Sequence, residues 1–557
     1  MKWVLNPGSI KPIVFTLIIG AIIGGAVSIA YRVSLAVWNG FSPLLTREPQ
    51  LFLIFALMAL LISSLLVRLF LRKKAEDSFE TFLEYYHLSP EKLRLRDALV
   101  YSLASLGAFM FGAPVGPEGA SVLMGAGISS WFKRRFAINM TYQVMLLTGL
   151  AAGFSAIFKT PLSGFLLALE LPYKRDLEKE PFIAAAIASA AAYLVSFFLN
   201  TPSIINVAFT LPQLNVGLIL LTILFGFIVG GLSIAFVKLY QLFGRLSTLL
   251  VSKASLPLLV LIGGLILGTL GYLEPLSIGP GLNLISITIA GGLALTSIII
   301  ILLFKSFAVI TTLNFGGTGG TFLPAIEMGM LIGAAFGLLF SPIYVPFFAL
   351  LGMGAAASGV NKVVLAPIAF VAEIVGSNAI IPVLLASIIA YFVSNNFSIY
   401  PVQGTSKREH EGLALERFYR RAISMDPHIM LNRRVKDVMT RNPLAVESGS
   451  SVRDTRKLLE EKSIRVIPLV AEGGLFFGYT TLEDLSALPT SAYDRPLYTL
   501  AIKKGLTFTE DAALEEVIQT MIERNEDHIF VINLTGQLVG IVANIDLIRM
   551  LMNVVSS

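Results

Sequence analysis

Charge is missing from long stretches of the first 402 residues. Segments 13–31, 50–67, 98–117 and 136–158 carry no Asp, Glu, Lys or Arg. Segment 181–237 is uncharged for 57 residues, broken by Thr201-Pro202 and Leu211-Pro212. Further uncharged segments follow at 254–273, 275–304, 306–326, 328–361 and 374–406. A bilayer crossing needs roughly 20 mostly apolar residues, so each is long enough to span. The longest exceed one crossing and are divided by Gly or Pro. The pattern predicts an all-α, multi-pass membrane domain over residues 1–402. Lys2 opens directly onto apolar sequence with no small-residue cleavage site, so no signal peptide is expected. The pattern then changes. A basic linker (403–430) carries Lys407, Arg408, Arg417, Arg420 and Arg421. Short apolar runs such as 465–470 and 528–532 then read as strands among helices, which makes 431–557 a separate α/β domain.

Composition agrees with this division. The chain is 55% hydrophobic and 14% charged, against about 25% charged in soluble domains. Of its charged residues, 40 lie in the last 155 positions, so the tail has an ordinary soluble composition. A cytosolic enzyme, a disulfide-built secreted scaffold and a disordered chain are excluded. With no Cys, thiol chemistry and Cys metal sites are excluded too. The net charge of +6 is the excess expected of basic cytoplasmic loops and implies no nucleic acid. Basic residues beside the last span put the tail, and with it both termini, in the cytoplasm of what reads as a prokaryotic cell membrane protein.

The membrane part repeats. Gly149-Leu-Ala-Ala-Gly-Phe-Ser-Ala-Ile-Phe-Lys159-Thr-Pro-Leu, followed by Glu170, returns as Gly352-Met-Gly-Ala-Ala-Ala-Ser-Gly-Val-Asn-Lys362-Val-Val-Leu, followed by Glu373. The Gly, the Lys and the Glu share one offset of 203. Upstream of each copy lies a Gly-rich break, Phe111-Gly-Ala-Pro-Val-Gly-Pro-Glu-Gly-Ala120 and Phe315-Gly-Gly-Thr-Gly-Gly-Thr-Phe-Leu-Pro324. Small-residue membrane helices resemble one another by composition, but matched charges at one offset are harder to obtain that way. Two halves broken at matching places predict inverted repeats with a site at the midplane.

A helix broken at the midplane points unpaired N–H groups and its positive dipole end at the break, which favours an anion. Glycine allows close backbone approach. Binding by amides rather than by Lys or Arg leaves the ion free to depart. Glu118 stands inside the first break, between Gly116-Pro117 and Gly119. An ionisable residue at membrane depth is a functional candidate; the bland alternative is an external loop. Ionised, Glu118 can take the anion's place at the helix ends; protonated, it can leave, which ties occupancy to pH.

At these residues the chain resembles the CLC family of chloride channels and chloride/proton exchangers, over about residues 10–402. Gly116-Pro117-Glu118-Gly119-Ala120 is similar to the family's G-[R/K]-E-G-P motif, and Gly320-Thr321-Phe322-Leu323-Pro324 to its G-x-F-x-P motif. Tyr400, in Phe397-Ser-Ile-Tyr-Pro, falls where the family has an anion-coordinating tyrosine. The resemblance implies a homodimer with one chloride pathway per subunit, moving chloride and in the exchangers protons. It implies Glu118 as gate, and the amides of Thr321 and Phe322 with the Tyr400 hydroxyl as anion ligands. Gly116, Gly119 and Gly320 supply the motif backbone. No cofactor is required.

The chain also departs from the family. The G-S-G-I-P motif should fall near 74–82, where the sequence is Lys-Ala-Glu-Asp-Ser-Phe-Glu-Thr-Phe. Ser78 is the counterpart of the coordinating serine, without flanking glycine. Pro117 and Ala120 replace the basic residue and the proline, and Pro117 brings no N–H. The exchangers' inner proton-transfer glutamate aligns with Leu171, which carries no proton. That favours a channel, or an exchanger with another proton route. Glu327, expected on the helix after Phe322, is the candidate internal proton acceptor; its alternative is an interfacial acid. Glu170 and Glu373, equivalent in the two halves, read as polar contacts near helix ends.

The tail repeats as well. Val435-Lys-Asp-Val-Met-Thr440, Arg465-Val-Ile-Pro-Leu-Val470 and Gly478-Tyr-Thr-Thr-Leu-Glu-Asp484 are answered by His528-Ile-Phe-Val-Ile532 and Gly540-Ile-Val-Ala-Asn-Ile-Asp546. This resembles a tandem pair of CBS domains. The resemblance implies an adenine nucleotide (ATP, ADP or AMP), with Asp484 and Asp546 on the ribose and Thr480 and Thr481 nearby. Ala543 replaces the hydroxyl residue in the second unit. A helix cap without ligand is the alternative for each Asp.

Two rival functions are weighed against anion passage. A transporter of another solute could share the repeat and the tail, but a cation site wants acidic or carbonyl-lined ligands. An intramembrane enzyme would want a His pair, a Ser–Lys dyad or a metal cluster, and three of the four His (His410, His428, His528) lie in the tail.

Overall fold

A computed structural model of the protein describes residues 10–203, 212–253, 256–407 and, between 415 and 555, most of the remainder. Leu211 of one predicted break, Arg408, Arg417, Arg420 and Arg421 of the linker, and Arg465 at one strand lie outside the described residues. The chain divides into two compact units, Met1–Thr405 and Ser406–Ser557.

The first unit is built from helices. Its first half contains α1 (Ile10–Arg47), α2 (Leu51–Leu71), α3 (Ser78–Leu88), α4 (Leu95–Met110), α5 (Glu118–Phe136), α6 (Tyr142–Phe158), α7 (Pro161–Glu170) and α8 (Phe182–Phe198). The second contains α9 (Val216–Lys253), α10 (Leu256–Leu273), α11 (Leu282–Ile289), α12 (Leu295–Asn314), α13 (Phe322–Phe340), α14 (Val345–Asn361), α15 (Leu365–Val375) and α16 (Ile380–Val393). Among the described residues six helices are long and apolar enough to cross a membrane.

Uncharged stretches therefore mark the membrane but not the helix ends. Segment 306–326 straddles the end of α12 and the start of α13. Segment 328–361 contains most of α13 and all of α14, parted at Ser341-Pro342. The ends fall where φ turns positive, at Gly or at residues such as Lys159 and Lys362, or where Pro opens the next helix, as at Pro161. Gly112 (φ 86°) and Gly316 (φ 105°) open the breaks before α5 and α13.

The two halves repeat the same packing. α5 crosses α6 at Gly125 and Gly149, and α13 crosses α14 at Gly329 and Gly352. A Cβ on any of the four would collide with the facing glycine's carbonyl, so backbone meets backbone, as small residues permit in membranes. The matched lysines of the repeat, Lys159 (φ 58°) and Lys362 (φ 57°), are left-handed C-caps ending α6 and α14. There the chain turns into α7 and α15.

The second unit holds two sheets. One is β2 (Val446–Glu447), β3 (Val466–Val470) and β4 (Phe476–Thr481); the other orders β1 (Thr440–Arg441), β7 (Leu538–Ala543), β6 (His528–Ile532) and β5 (Leu506–Thr509) side by side. In each, a parallel pair is followed by an antiparallel one: β2 with β3 then β4, and β5 with β6 then β7. Amphipathic helices α17 (Val452–Lys462), α18 (Leu482–Ser486), α19 (Leu514–Arg524) and α20 (Asn544–Val555) complete the pair. Phe476 and Tyr479 of β4 pack on Phe530 of β6, with ring centroids 4.7 and 5.1 Å apart, and join the two sheets.

Candidate anion site

The two Gly-rich breaks meet. Gly116 N–H donates to the carbonyl of Gly320 at 2.8 Å, and Gly320 N–H returns the bond to Gly116 at 3.0 Å. This antiparallel bridge sets the N-termini of α5 and α13 against each other, so that two dipole ends converge on one place.

Glu118 is the first residue of α5 and is fully buried. Its carboxylate does not stay with its own helix. Oε1 accepts the N–H of Leu323, at the start of α13, at 3.1 Å. Oε2 has no hydrogen-bond partner among the described residues. The carboxylate passes so close to Gly116 and Gly320 that a Cβ on either would overlap it, which accounts for both glycines.

Tyr400 and Thr321 close one side. Their hydroxyls are 2.7 Å apart, and the Tyr400 hydroxyl also donates to Asn361 Oδ1 at 3.3 Å. Tyr400 N–H is held by Ser398 Oγ at 3.1 Å, and the ring lies 6.0 Å from that of Phe79. Phe322 is buried among Phe154, Phe158 and Phe370 at 5.0, 6.1 and 5.6 Å, which makes this side of the site apolar.

Ser78 joins the group although no glycine flanks it. Its N–H donates to the carbonyl of Gly319 at 3.0 Å, its Oγ lies 3.4 Å from Thr318 Oγ1, and a Cβ on Gly119 would press on its Cβ. Ser78, Gly116, Glu118, Gly119, Gly320, Thr321, Phe322 and Tyr400 thus converge from α3, α5, α13 and the segment after α16. Sequence reasoning missed Asp77, the N-cap of α3. It is buried, and Oδ1 accepts the N–H of Phe79 at 2.7 Å and of Glu80 at 3.0 Å. The signal was there: Asp before a helix start is a capping residue.

Glu327 lies apart from this group. It sits on α13 itself, the helix that Phe322 begins, rather than on a following one. Lys305 of α12 faces it at 2.8 Å, with both side chains buried. Leu171 is buried, and its carbonyl accepts from Gln403 Nε2 at 3.0 Å. Glu170 and Glu373 bind backbone N–H groups at the starts of α15 and α7.

In the tail, Asp484 Oδ2 accepts from the Thr481 hydroxyl at 2.7 Å and lies 2.8 Å from Lys503 Nζ. Burial works against its charge, but Lys503 and Thr481 outweigh it and hold the carboxyl below its ordinary value. Asp546 Oδ2 accepts from Ala543 N–H at 3.1 Å. Each aspartate lies in the first turn of its helix and accepts the backbone N–H just before it, and Thr480 is buried within β4.

Comparison with known proteins fits this geometry. Residues 59–395 match the family model described as voltage gated chloride channel, and 435–489 and 499–553 each match the CBS domain. A voltage-gated ClC-type chloride channel, ClcB of Escherichia coli (strain SMS-3-5 / SECEC), is 29% identical over 319 residues, 54% of this chain and 74% of that protein. The H(+)/Cl(-) exchange transporter ClcA of Klebsiella pneumoniae subsp. pneumoniae is 28% identical over 342 residues, 57% of this chain and 70% of that one. Among solved structures, a CLC-type fluoride/proton antiporter aligns with TM-score 0.63 at 21% identity, over 72% of this chain and all of that one. A eukaryotic CLC transporter aligns over 96% of this chain and 98% of its own at TM-score 0.61 and 17% identity. These structural likenesses bear on the fold.

Proposed function

Because the chain belongs to the voltage gated chloride channel family, we propose that it passes chloride across a membrane, through a pathway that Glu118 closes. One observation carries the reading: the Glu118 carboxylate accepts the N–H of Leu323 at the start of the facing helix. A carboxylate there stands in for an inorganic anion, held by amides and a dipole rather than by a cation. When a proton neutralises it, the attraction to the α13 end falls, the side chain withdraws, and chloride takes its place. The central anion is held by the amides of Thr321 and Phe322 and the hydroxyls of Tyr400 and Ser78. Phe322 and its aromatic neighbours exclude water, which strengthens each of these bonds.

Proton coupling is weak in this reading. The residue that aligns with the exchangers' inner glutamate is Leu171, and Glu327 is engaged by Lys305. A bare charge crosses a low-dielectric interior only at high cost. The protein works as a homodimer with both termini in the cytoplasm, and its CBS pair takes an adenine nucleotide as a regulatory ligand. The reading is tested in liposomes loaded with chloride, recording anion efflux and external pH together. Chloride efflux with little proton movement is expected. No anion efflux would sink the pathway, and steady uphill proton movement would replace the channel reading with an exchanger.

A further inference from the structure

The N-terminus of α3 repeats the arrangement at α13. Ser78 N–H is bonded to Gly319, so the first amides of α3 open to a ligand are those of Phe79 and Glu80. Both are taken by one carboxylate oxygen of Asp77. The other oxygen, Oδ2, is buried and has no hydrogen-bond partner among the described residues. Asp77 is 2% exposed and immediately precedes the coordinating serine. Thr321 flanks it. The titratable groups that face it are Glu76 beside it, Glu80 of α3, Glu118 of α5, Tyr240 of α9 and Tyr400.

We propose that Asp77 is a second gate on the anion pathway, a carboxylate that holds the α3 end of the site as Glu118 holds the α13 end. The inference rests on the pathway proposed above, and does not depend on whether protons are carried across. Its physical basis is charge crowding. Chloride between Ser78 and Tyr400, with Glu118 and Asp77 both ionised, puts three like charges in one dry volume, and sites so close titrate as a coupled set. An anion therefore enters with a proton on one of the two acids. The buried, unpartnered Oδ2 is where Asp77 would hold its proton, since leaving it bare and ionised costs the desolvation of that oxygen. A neutral Asp77 also loosens its hold on the Phe79 and Glu80 amides, which become ligands for the arriving ion. Glycine in this loop, as the family has it, brings no such charge.

The test is Asp77→Asn in the full-length protein. Asn is as good an N-cap as Asp, so α3 should keep its start, and an unchanged melting temperature checks this. Chloride binding at pH 7.5 by calorimetry should tighten roughly tenfold, the change that one pKa unit of coupling represents. In liposomes, the pH dependence that remains in Glu118→Gln should vanish when Asp77→Asn is added. If Asp77→Asn does not fold, Asp77→Ser keeps a capping oxygen without a titrating group and reads the same quantities. Chloride binding that is unchanged or weakened, with the same pH profile as the parent, would overturn the second gate and leave Asp77 as a cap. Wild-type protein that moves no anion at all would overturn the pathway and this inference with it.

Discussion

Glu170 and Glu373 cap each other's halves. Glu170, the last residue of α7, accepts the N–H groups of Val364, Leu365 and Ala366 at the start of α15, at 3.0, 2.7 and 2.8 Å. Glu373, near the end of α15, accepts those of Leu162 and Ser163 at the start of α7, at 2.7 and 2.9 Å. Each helix thus ends on the other's beginning, and neither α7 nor α15 has a side-chain bond from its own N-cap residue. Glu170→Ala removes charged bonds from a buried helix start and should cost about 1.5–3 kcal/mol. Glu373→Ala, with two bonds and more solvent, should cost less. Thermal unfolding in detergent ranks the two; equal or absent shifts would mean that the exchanged caps do not hold the halves together.

Glu118→Gln keeps the shape and removes the charge. The variant should conduct chloride across the pH range in which the wild type closes, with most of the pH dependence gone. A wild-type pH profile in the variant would move the gate to another residue.

Tyr400→Phe removes one hydroxyl and leaves the ring against Phe79. The amides remain, so chloride affinity should fall by about 0.5–1.5 kcal/mol, one neutral hydrogen bond. Because this hydroxyl also meets Thr321 and Asn361, melting temperature needs to be read alongside. Calorimetry with unchanged affinity would take Tyr400 off the list of ligands.

Lys305 and Glu327 are 2.8 Å apart and buried. Lys305→Met strands the carboxylate and should destabilise the protein by about 3–5 kcal/mol, whereas Lys305→Met with Glu327→Leu should recover most of the loss, as replaced buried ion pairs do. The pair also bears on protons. If a chloride gradient drives protons uphill and Glu327→Gln abolishes this while chloride still flows, Glu327 is the internal acceptor after all.

Asp484→Ala and Asp546→Ala test the tail in the full chain. ATP or AMP should raise the wild-type melting temperature, and either substitution should reduce the rise. No rise at millimolar nucleotide would leave both aspartates as caps. The Asp484 contribution carries its own pH signature. Its carboxyl lies below its ordinary value, so its stabilisation is fully present above the unfolded value of about 4 and fades as pH falls through the lower folded one.

Much of the group that the structure brings together was legible in the sequence because it is built from local motifs. A glycine break beside Glu118, a second one two hundred residues on and Tyr400 after the last span each announce themselves within a few residues. Ser78 was harder, since its neighbours lack the family's glycines; what brings it to the site is the carbonyl of Gly319, far away in the chain. The exchanged caps of Glu170 and Glu373 and the ion pair of Lys305 with Glu327 depend on how helices pack. Periodicity and spacing carry no record of which buried acid meets which distant backbone or amine. The uncharged segments misplaced helix ends for a related reason: hydropathy reports the solvent, while φ and missing N–H groups decide where a helix stops.

The bridge between Gly116 and Gly320 has a mechanical meaning. Two backbone bonds fasten the starts of α5 and α13 to each other, and the Glu118 carboxylate packs against both glycines. On the pathway proposed above, the Glu118 step of opening is one short chain of methylenes swinging away from a fixed backbone, a displacement on the scale of a rotamer change. On that pathway neither half needs to rock against the other, unlike in machines that expose their cargo by turning whole domains.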